Sequence, residues 1–224
     1  MRLLLHADHI EEIPDSVGGF DTRPFTIRDL ADRFPESDLE RRRSIIPGNA
    51  IFPLLQEAEE SAAEYLWLLE FDVRFGGKWS DLFDSFADSR SDFIGTTITR
   101  QVDRPDWHWW SSLRWPDADR PQVMIRGMLP IFRISRAAAQ TVREAILTGW
   151  GGHCEVLLPT LIQHRGMSIE DIGGNGLFVK SGNYNRFYEN TPGVAGLAPG
   201  TLVCPPANCR TQCRDGKIYH PVKT

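Results

Sequence analysis

The sequence predicts a single α/β domain, residues 1–224, with a mostly parallel central sheet flanked by helices. An apolar run at residues 65–69 predicts a buried strand, the amphipathic segment 79–87 predicts a helix, and residues 92–97 predict a second buried strand. Strand, helix and strand in succession are typical of a parallel sheet. A chain of 224 residues is long enough for one large domain, and no internal repeat divides it.

Other segments extend the same architecture. Their apolar patterns predict further strands at residues 2–7, 128–134 and 167–172. Helical spacing predicts helices at residues 26–32, 50–63, 136–147 and 156–164. Residue types favoured as N-caps stand at the start of three of these helices: Thr26, Asn49 and Ser135. Glycine, asparagine and proline in residues 173–200 predict an irregular C-terminal segment.

Composition and charge limit the class of protein. The formal net charge of −5 argues against a general nucleic-acid binder, so no nucleic-acid partner is expected. No apolar run is long enough to span a membrane. The first ten residues, MRLLLHADHI, are too polar after a short apolar stretch to predict a signal peptide. We therefore expect a cytoplasmic protein with reduced thiols.

Two acidic residues directly follow the apolar run at residues 65–69. Glu70 and Asp72 are two positions apart, so in a strand their carboxylates point to the same side. Adjacent carboxylates repel each other unless a cation or a proton lies between them. One interpretation is an ordinary solvated strand end. The position of the pair after a buried strand favours a ligand site, and Arg74 follows in a tight, polar loop.

A tryptophan-rich loop is predicted between residues 100 and 119. Trp107, Trp109 and Trp110 are grouped there, together with His108. Exposed aromatic rings of this kind stack on sugars or bases. Large aromatic side chains are equally often found filling the core beneath a loop. The sequence leaves both interpretations open.

Three further groups have a functional and a structural interpretation. Glu155 opens a predicted helix, where it either interacts with the helix dipole or serves as a general base. Arginines at residues 41–43 precede the Asn49 cap, which suits either a phosphate-facing loop or a solvated charged segment. Cys204, Cys209, Cys213 and His220 have spacing unlike common zinc motifs, so free thiols or one disulfide are favoured. Cys154 is interpreted as a packing residue.

These features together resemble the nucleotide-sugar-dependent glycosyltransferases of the GT-A fold. The resemblance rests on the acidic motif EFD at residues 70–72 and on YHPVK at residues 219–223. It also rests on GHCEVLLPTLIQHRGMSIED at residues 152–171, which is similar to a segment of the branching acetylglucosaminyltransferases. The segments IPGNAIFPLL and PIFRISRAAAQ, at residues 46–55 and 130–140, occur in the order that such enzymes have.

The resemblance implies a role for each candidate residue. Glu70, Asp72 and His220 would hold a divalent metal, Mn or Mg, on the diphosphate of a nucleotide-sugar donor. Glu155, with Asp171 as a second catalytic candidate, would act on the hydroxyl of a glycan or small-molecule acceptor. The implied donor-binding residues are Asp8, Arg43, Asn49, Arg74 and Lys223, and the implied substrate-binding residues are Trp107, Trp109, Trp110 and His153.

The resemblance also divides the chain into a nucleotide-sugar half at residues 1–100, an acceptor half at residues 101–200, and a tail at residues 201–224 that folds back on the site. The motif here is E-x-D instead of D-x-D, and some members of the fold work without metal, using arginine or lysine against the diphosphate. Arg74, Lys223 and the arginines at 41–43 could take that part. The alternatives are a metal-dependent hydrolase or nucleotidyltransferase on a similar sheet, and a non-catalytic carbohydrate-binding relative.

Overall fold

The computed structural model describes residues 2–6, 14–35, 51–189, 202–207 and 216–222, and within them the chain is mixed α/β with five α-helices. The strands are β1 (Arg2–His6), β2 (Ser16–Val17), β3 (Phe20–Phe25), β4 (Tyr65–Leu69), β5 (Arg74–Phe75), β6 (Phe93–Arg100), β7 (Ile125–Ser135), β8 (Ile169–Asp171), β9 (Leu202–Ala207) and β10 (Ile218–Val222). The helices are α1 (Ile27–Arg33), α2 (Ile51–Glu60), α3 (Trp79–Asp84), α4 (Arg136–Leu147) and α5 (Cys154–His164).

The central sheet has the strand order β4-β7-β6-β8. Strand β7 is antiparallel to both β4 and β6, and only β6 and β8 pair in parallel. The α/β class is confirmed, but the prediction of a mostly parallel sheet was wrong. Strands β4 and β6 do run in the same direction, as strand-helix-strand order predicts. They are not neighbours, because β7 lies between them and runs the opposite way.

Strand β7 is the buried centre of the fold. All eleven of its residues are buried, from Ile125 to Ser135, whereas the predicted strand covered only residues 128–134. Helix α5 packs on it, and the Thr160 hydroxyl hydrogen bonds both to the backbone N–H and to the carbonyl of Ile125, each at 2.8 Å. Helices α2 and α4 pack against each other and complete the apolar layer on this part of the sheet.

Capping residues explain where two helices begin. The Ser135 hydroxyl accepts a hydrogen bond from the Ala138 backbone N–H at 3.0 Å, so α4 begins at Arg136 as predicted. Thr26 and Asp29 form a reciprocal capping box at the start of α1. Helix α5 begins two residues earlier than predicted, at Cys154, with His153 as its N-cap. Among the described residues, no helix has the length and apolar character needed to cross a membrane.

A second, smaller sheet has the order β5-β10-β9. Strand β10 pairs antiparallel with β5, so Tyr219 lies opposite Arg74. The Val222 backbone N–H donates to the carbonyl of Asp72 at 2.9 Å. Strand β10 therefore lies against the segment that follows β4. The third sheet joins β1, β3 and β2 near the N-terminus.

The tryptophan-rich loop between β6 and β7 is packed onto the domain. Trp107 and Trp110 are 4% and 6% exposed and belong to the main core. The Trp110 indole N–H donates to the carbonyl of Arg104 at 2.7 Å. Further along the loop, Asp119 accepts hydrogen bonds from Trp150 and Arg165 and pairs with His164. These contacts fix the loop to the C-terminal end of α5 and to the segment that follows α4.

Candidate metal centre and the carboxyl beside it

Three side chains from distant parts of the chain converge at one end of the central sheet. His220 Nε2 lies 3.1 Å from Glu70 Oε2 and 3.4 Å from Asp72 Oδ1. The three potential ligand atoms all lie within 4.8 Å of one another. Asp72 is buried, His220 is half-buried and Glu70 is exposed. The cluster is therefore open to solvent on the Glu70 side.

Backbone hydrogen bonds hold the two acids in place. The Glu70 N–H donates to the carbonyl of Pro130 at 2.8 Å, which continues the β4–β7 pairing by one residue. The Val73 N–H then donates to the carbonyl of Glu70 at 3.2 Å and closes a turn. The Arg74 guanidinium donates to the carbonyls of Phe71 and Val73, both at 2.9 Å. Arg74 thus braces the acidic turn.

The donor set suits a divalent cation. Two carboxylates and an imidazole nitrogen are ligands that Mn²⁺, Mg²⁺ or Zn²⁺ accept, and a cation would relieve the repulsion between the carboxylates. Nε2 is the ring nitrogen of His220 that faces both acids, whereas its Nδ1 is buried and has no hydrogen-bond partner among the described residues. Glu70, Asp72 and His220 are therefore the residues that would hold a metal.

Glu155 lies near this cluster, in the first turn of α5. Burial raises the pKa of its carboxyl to about 7, and the negative charge of Glu70 adds to the rise. The charge of Arg126 and a hydrogen bond from the Leu129 backbone amide oppose it. The Glu155 side chain keeps 15% of its surface exposed. The site therefore contains a carboxyl that can both lose and accept a proton near neutral pH.

The thiol of Cys154 differs from the Glu155 carboxyl in its protonation at neutral pH. Burial raises the pKa of its thiol well above the usual value, and the charges of Glu155 and Glu70 add to the effect. The thiol is therefore protonated at neutral pH and is a poor nucleophile. This agrees with its interpretation as a packing residue.

An aromatic cluster surrounds the N-cap of α5. The Trp109 ring stacks on His153 with centroids 4.6 Å apart, and Trp107 meets the same imidazole edge-on at 6.3 Å. The His153 backbone N–H donates to the Ser112 hydroxyl at 3.0 Å. His153 Nδ1 lies 3.7 Å from Glu155 Oε2. Of the four predicted substrate-binding residues, Trp107 and Trp110 are buried in the core, and Trp109 and His153 are partly exposed beside Glu155.

Asp171, the second predicted catalytic residue, is fully enclosed by the protein. Its carboxylate accepts hydrogen bonds from the backbone N–H groups of Ile98, Gly173 and Gly174 and from the Tyr188 hydroxyl, at 2.8–3.3 Å. It is 1% exposed. These four donors fill its hydrogen-bonding capacity, so the carboxylate has no position left for a substrate group.

Several predicted residues lie outside the described part of the chain. These are Asp8, Arg43, Asn49, Lys223, Cys209 and Cys213, together with the side chain of Cys204.

Two residues of the site were not predicted from the sequence. Phe71, between the two acids, is 87% exposed. Arg126 is 1% exposed in the middle of the apolar segment VMIRGMLPIF. The sequence did contain a signal for Arg126, namely a single arginine within an apolar strand. An isolated buried charge is costly, so such a residue is expected to have a specific role.

Comparison of the chain with protein-family models and with curated proteins finds no match.

Proposed function

We propose that the protein is a divalent-metal-dependent glycosyltransferase, which moves a sugar from a nucleotide-sugar donor to an acceptor hydroxyl. The proposal rests on one observation, namely that two acidic sites lie near each other. Glu70, Asp72 and His220 form a compact set of metal ligands, and Glu155 is a separate, partly accessible carboxyl near them. The resemblance of the EFD and HPVK motifs to the GT-A enzymes supports the choice of substrate.

The ligand cluster would bind the charged part of the donor. A nucleoside diphosphate leaving group carries negative charge that must be neutralised, and a divalent cation held by these residues would supply that neutralisation. Asp72 and His220 are held by the backbone pairing of β10 with the acidic turn, so they are already placed for a ligand. Glu70 is the exposed member of the cluster, so a donor would approach the cluster from its side.

Glu155 would be the general base. Its carboxylate takes the proton of the acceptor hydroxyl, while the hydroxyl oxygen forms a bond to the anomeric carbon. The bond from that carbon to the diphosphate breaks, and its electron pair leaves with the nucleoside diphosphate. A base with a pKa of about 7 is well matched to this task at neutral pH, because a large fraction is ionised and the proton is still readily accepted.

Thermal unfolding with a panel of nucleoside diphosphates and nucleotide sugars, with and without Mn²⁺, tests the donor site. We expect one nucleotide to raise the stability in a Mn²⁺-dependent way, by about 2.7 kcal/mol at a hundredfold excess over Kd. The shift should be lost in Asp72→Ala and kept in Asp84→Ala, which removes an exposed carboxylate from α3.

The other outcomes separate the alternatives. A nucleotide shift that needs no metal would move the diphosphate-binding role to arginine and lysine side chains. Release of pyrophosphate from a nucleoside triphosphate would indicate a nucleotidyltransferase. The glycosyltransferase proposal fails if neither nucleotides nor nucleotide sugars change the unfolding temperature and glycans alone do.

A further inference from the structure

Arg126 is a charged residue at the centre of the fold. It lies in β7, opposite Thr99 of β6, and is 1% exposed. Removing a guanidinium from water is costly unless nearby groups stabilise its charge. Burial lowers the pKa of Arg126 to about 10, so it still carries its charge at neutral pH.

The groups around Arg126 indicate that Glu155 is the main partner of its positive charge. The guanidinium lies over the Trp107 ring, 5.0 Å from its centroid. The charges that act on it are those of Glu155 and Asp106, which are favourable, and that of Arg104, which is unfavourable. Glu155 has the largest charge effect of the three.

Arg126 and Glu155 are also connected through the backbone of β7 and through a series of side-chain contacts. Leu129, three positions after Arg126 in β7, donates its backbone N–H to the Glu155 carboxylate. Trp107 contacts Arg126 with its face and His153 with an edge-on arrangement. His153 Nδ1 is in turn 3.7 Å from Glu155 Oε2. A continuous series of contacts thus leads from Arg126 through Trp107 and His153 to the carboxyl.

We propose that Arg126 is a positioning residue that holds Glu155 as a carboxylate facing the metal cluster. Residues 107–112 pack against Arg126 and His153 and fix both side chains in place. This gives the tryptophan-rich loop a role in organising the base instead of a direct role in binding sugars. The catalytic consequence rests on the function proposed above. The coupling of Arg126 to Glu155 does not, since it is a property of the folded chain.

The direction of the effect follows from the charges that face Glu155. Arg126 of β7 favours the carboxylate, whereas Glu70 and burial favour the protonated acid. His153 and Cys154 face it from its own helix, and the Cys154 thiol is neutral. Without Arg126, burial and the charge of Glu70 still favour the proton, and the largest opposing charge is lost. Glu155 should then bind its proton more tightly.

The test is a titration of the Glu155 carboxyl by ¹³C NMR, on protein labelled at the glutamate carboxyl carbons and saturated with Mg²⁺. The resonance is assigned by its loss in Glu155→Gln. We expect Arg126→Met to raise the midpoint by at least about one pH unit, a tenfold tighter proton, and Arg126→Lys to restore much of it. Arg133→Met is the matched control. Arg133 is also buried in β7, but it donates to the carbonyls of Phe86, Ser89 and Ser91.

An unchanged midpoint in folded Arg126→Met protein would overturn the proposal, and so would an equal shift in Arg133→Met. If Arg126→Met does not fold, Trp107→Leu takes its place: it keeps the cation and removes the ring that holds it, and an upward shift is again expected. An unchanged midpoint in that variant counts against the proposal in the same way. The titration needs no substrate, so its result is independent of whether the protein transfers sugar. Where a donor is known, the pH profile of kcat should move with the midpoint while KM for the donor stays constant.

Discussion

Glu155 and Asp171 are both acidic residues enclosed near the central sheet, and burial raises the pKa of both carboxyls. Their hydrogen-bond partners differ. Asp171 accepts from three backbone amides and from Tyr188, and it is 1% exposed. Glu155 receives one backbone hydrogen bond, is 15% exposed and lies near a buried cation and the acidic cluster. A raised pKa alone therefore does not identify a catalytic acid or base. Spare hydrogen-bonding capacity and access to a ligand do.

The largest expected effect separates the two acids by activity. Glu155→Gln should lower the transfer rate by about 10²–10⁴-fold, the usual contribution of a general base, without lowering the unfolding temperature. Turnover of the nucleotide sugar identified by thermal unfolding is the measurement. If the variant keeps more than a tenth of the wild-type rate, Glu155 is not the general base, and Glu155 and Asp171 no longer differ in catalytic role.

Asp171→Asn should act on stability instead. The carboxylate accepts hydrogen bonds from backbone N–H groups, whereas the NH₂ group of asparagine is itself a donor and would face some of those N–H groups. We therefore expect a loss of about 3 kcal/mol in the free energy of unfolding. Denaturant titration measures this loss, and Asp88→Asn, at an exposed position, serves as the control. If the variant is as stable as the wild type but inactive, Asp171 belongs to the active site after all.

The pH dependence of stability should reveal the Glu155 proton directly. The pKa rises from an ordinary value of 4.5 to about 7 in the folded protein, so between these pH values the native state holds a proton that the unfolded chain has released. Stability therefore falls as pH rises through this window, by up to about 3 kcal/mol from this one group. Glu155→Gln should remove that fall. Parallel pH curves for the two proteins would contradict the elevated pKa.

The smallest expected effect concerns a single partner of Asp171. The Tyr188 hydroxyl donates to Asp171 at 2.8 Å and accepts from the Thr97 backbone N–H at 2.7 Å. Tyr188→Phe removes both hydrogen bonds and should cost about 1–3 kcal/mol of stability, while the transfer rate of the folded variant stays unchanged. A loss of activity in fully folded protein would show that this network also serves the reaction.

Some features of the site could be predicted because they depend on neighbouring residues only. The side-by-side placement of Glu70 and Asp72 follows from two-residue alternation at a strand end. The position of Glu155 in the first turn of α5 follows from the helical pattern after it. The approach of His220 to the two acids was predicted only through the resemblance, since no local pattern relates residues 70–72 to residue 220.

Other features could not be predicted from any window of the sequence. The apolar pattern of residues 128–134 indicates a strand, but it does not say which strands are its neighbours or in which direction it runs. The tryptophans at 107 and 110 are equally compatible with a binding loop and with the core, and only the packing of the loop on α5 places them inside. Nor does the sequence say which acid faces Arg126.

The sequence by itself determined the class of the fold, the five helices, five of the ten described strands, the caps at Thr26 and Ser135, and the acidic pair after β4. These depend on periodicity and on hydrogen bonds between residues a few positions apart. Only the tertiary structure decided that β7 lies antiparallel between β4 and β6, that β10 brings His220 to Glu70 and Asp72, and that Arg126 acts on Glu155. Each of these is a contact between segments far apart in the chain. Such contacts depend on which apolar faces cover each other across the whole domain, and a local pattern does not carry that information.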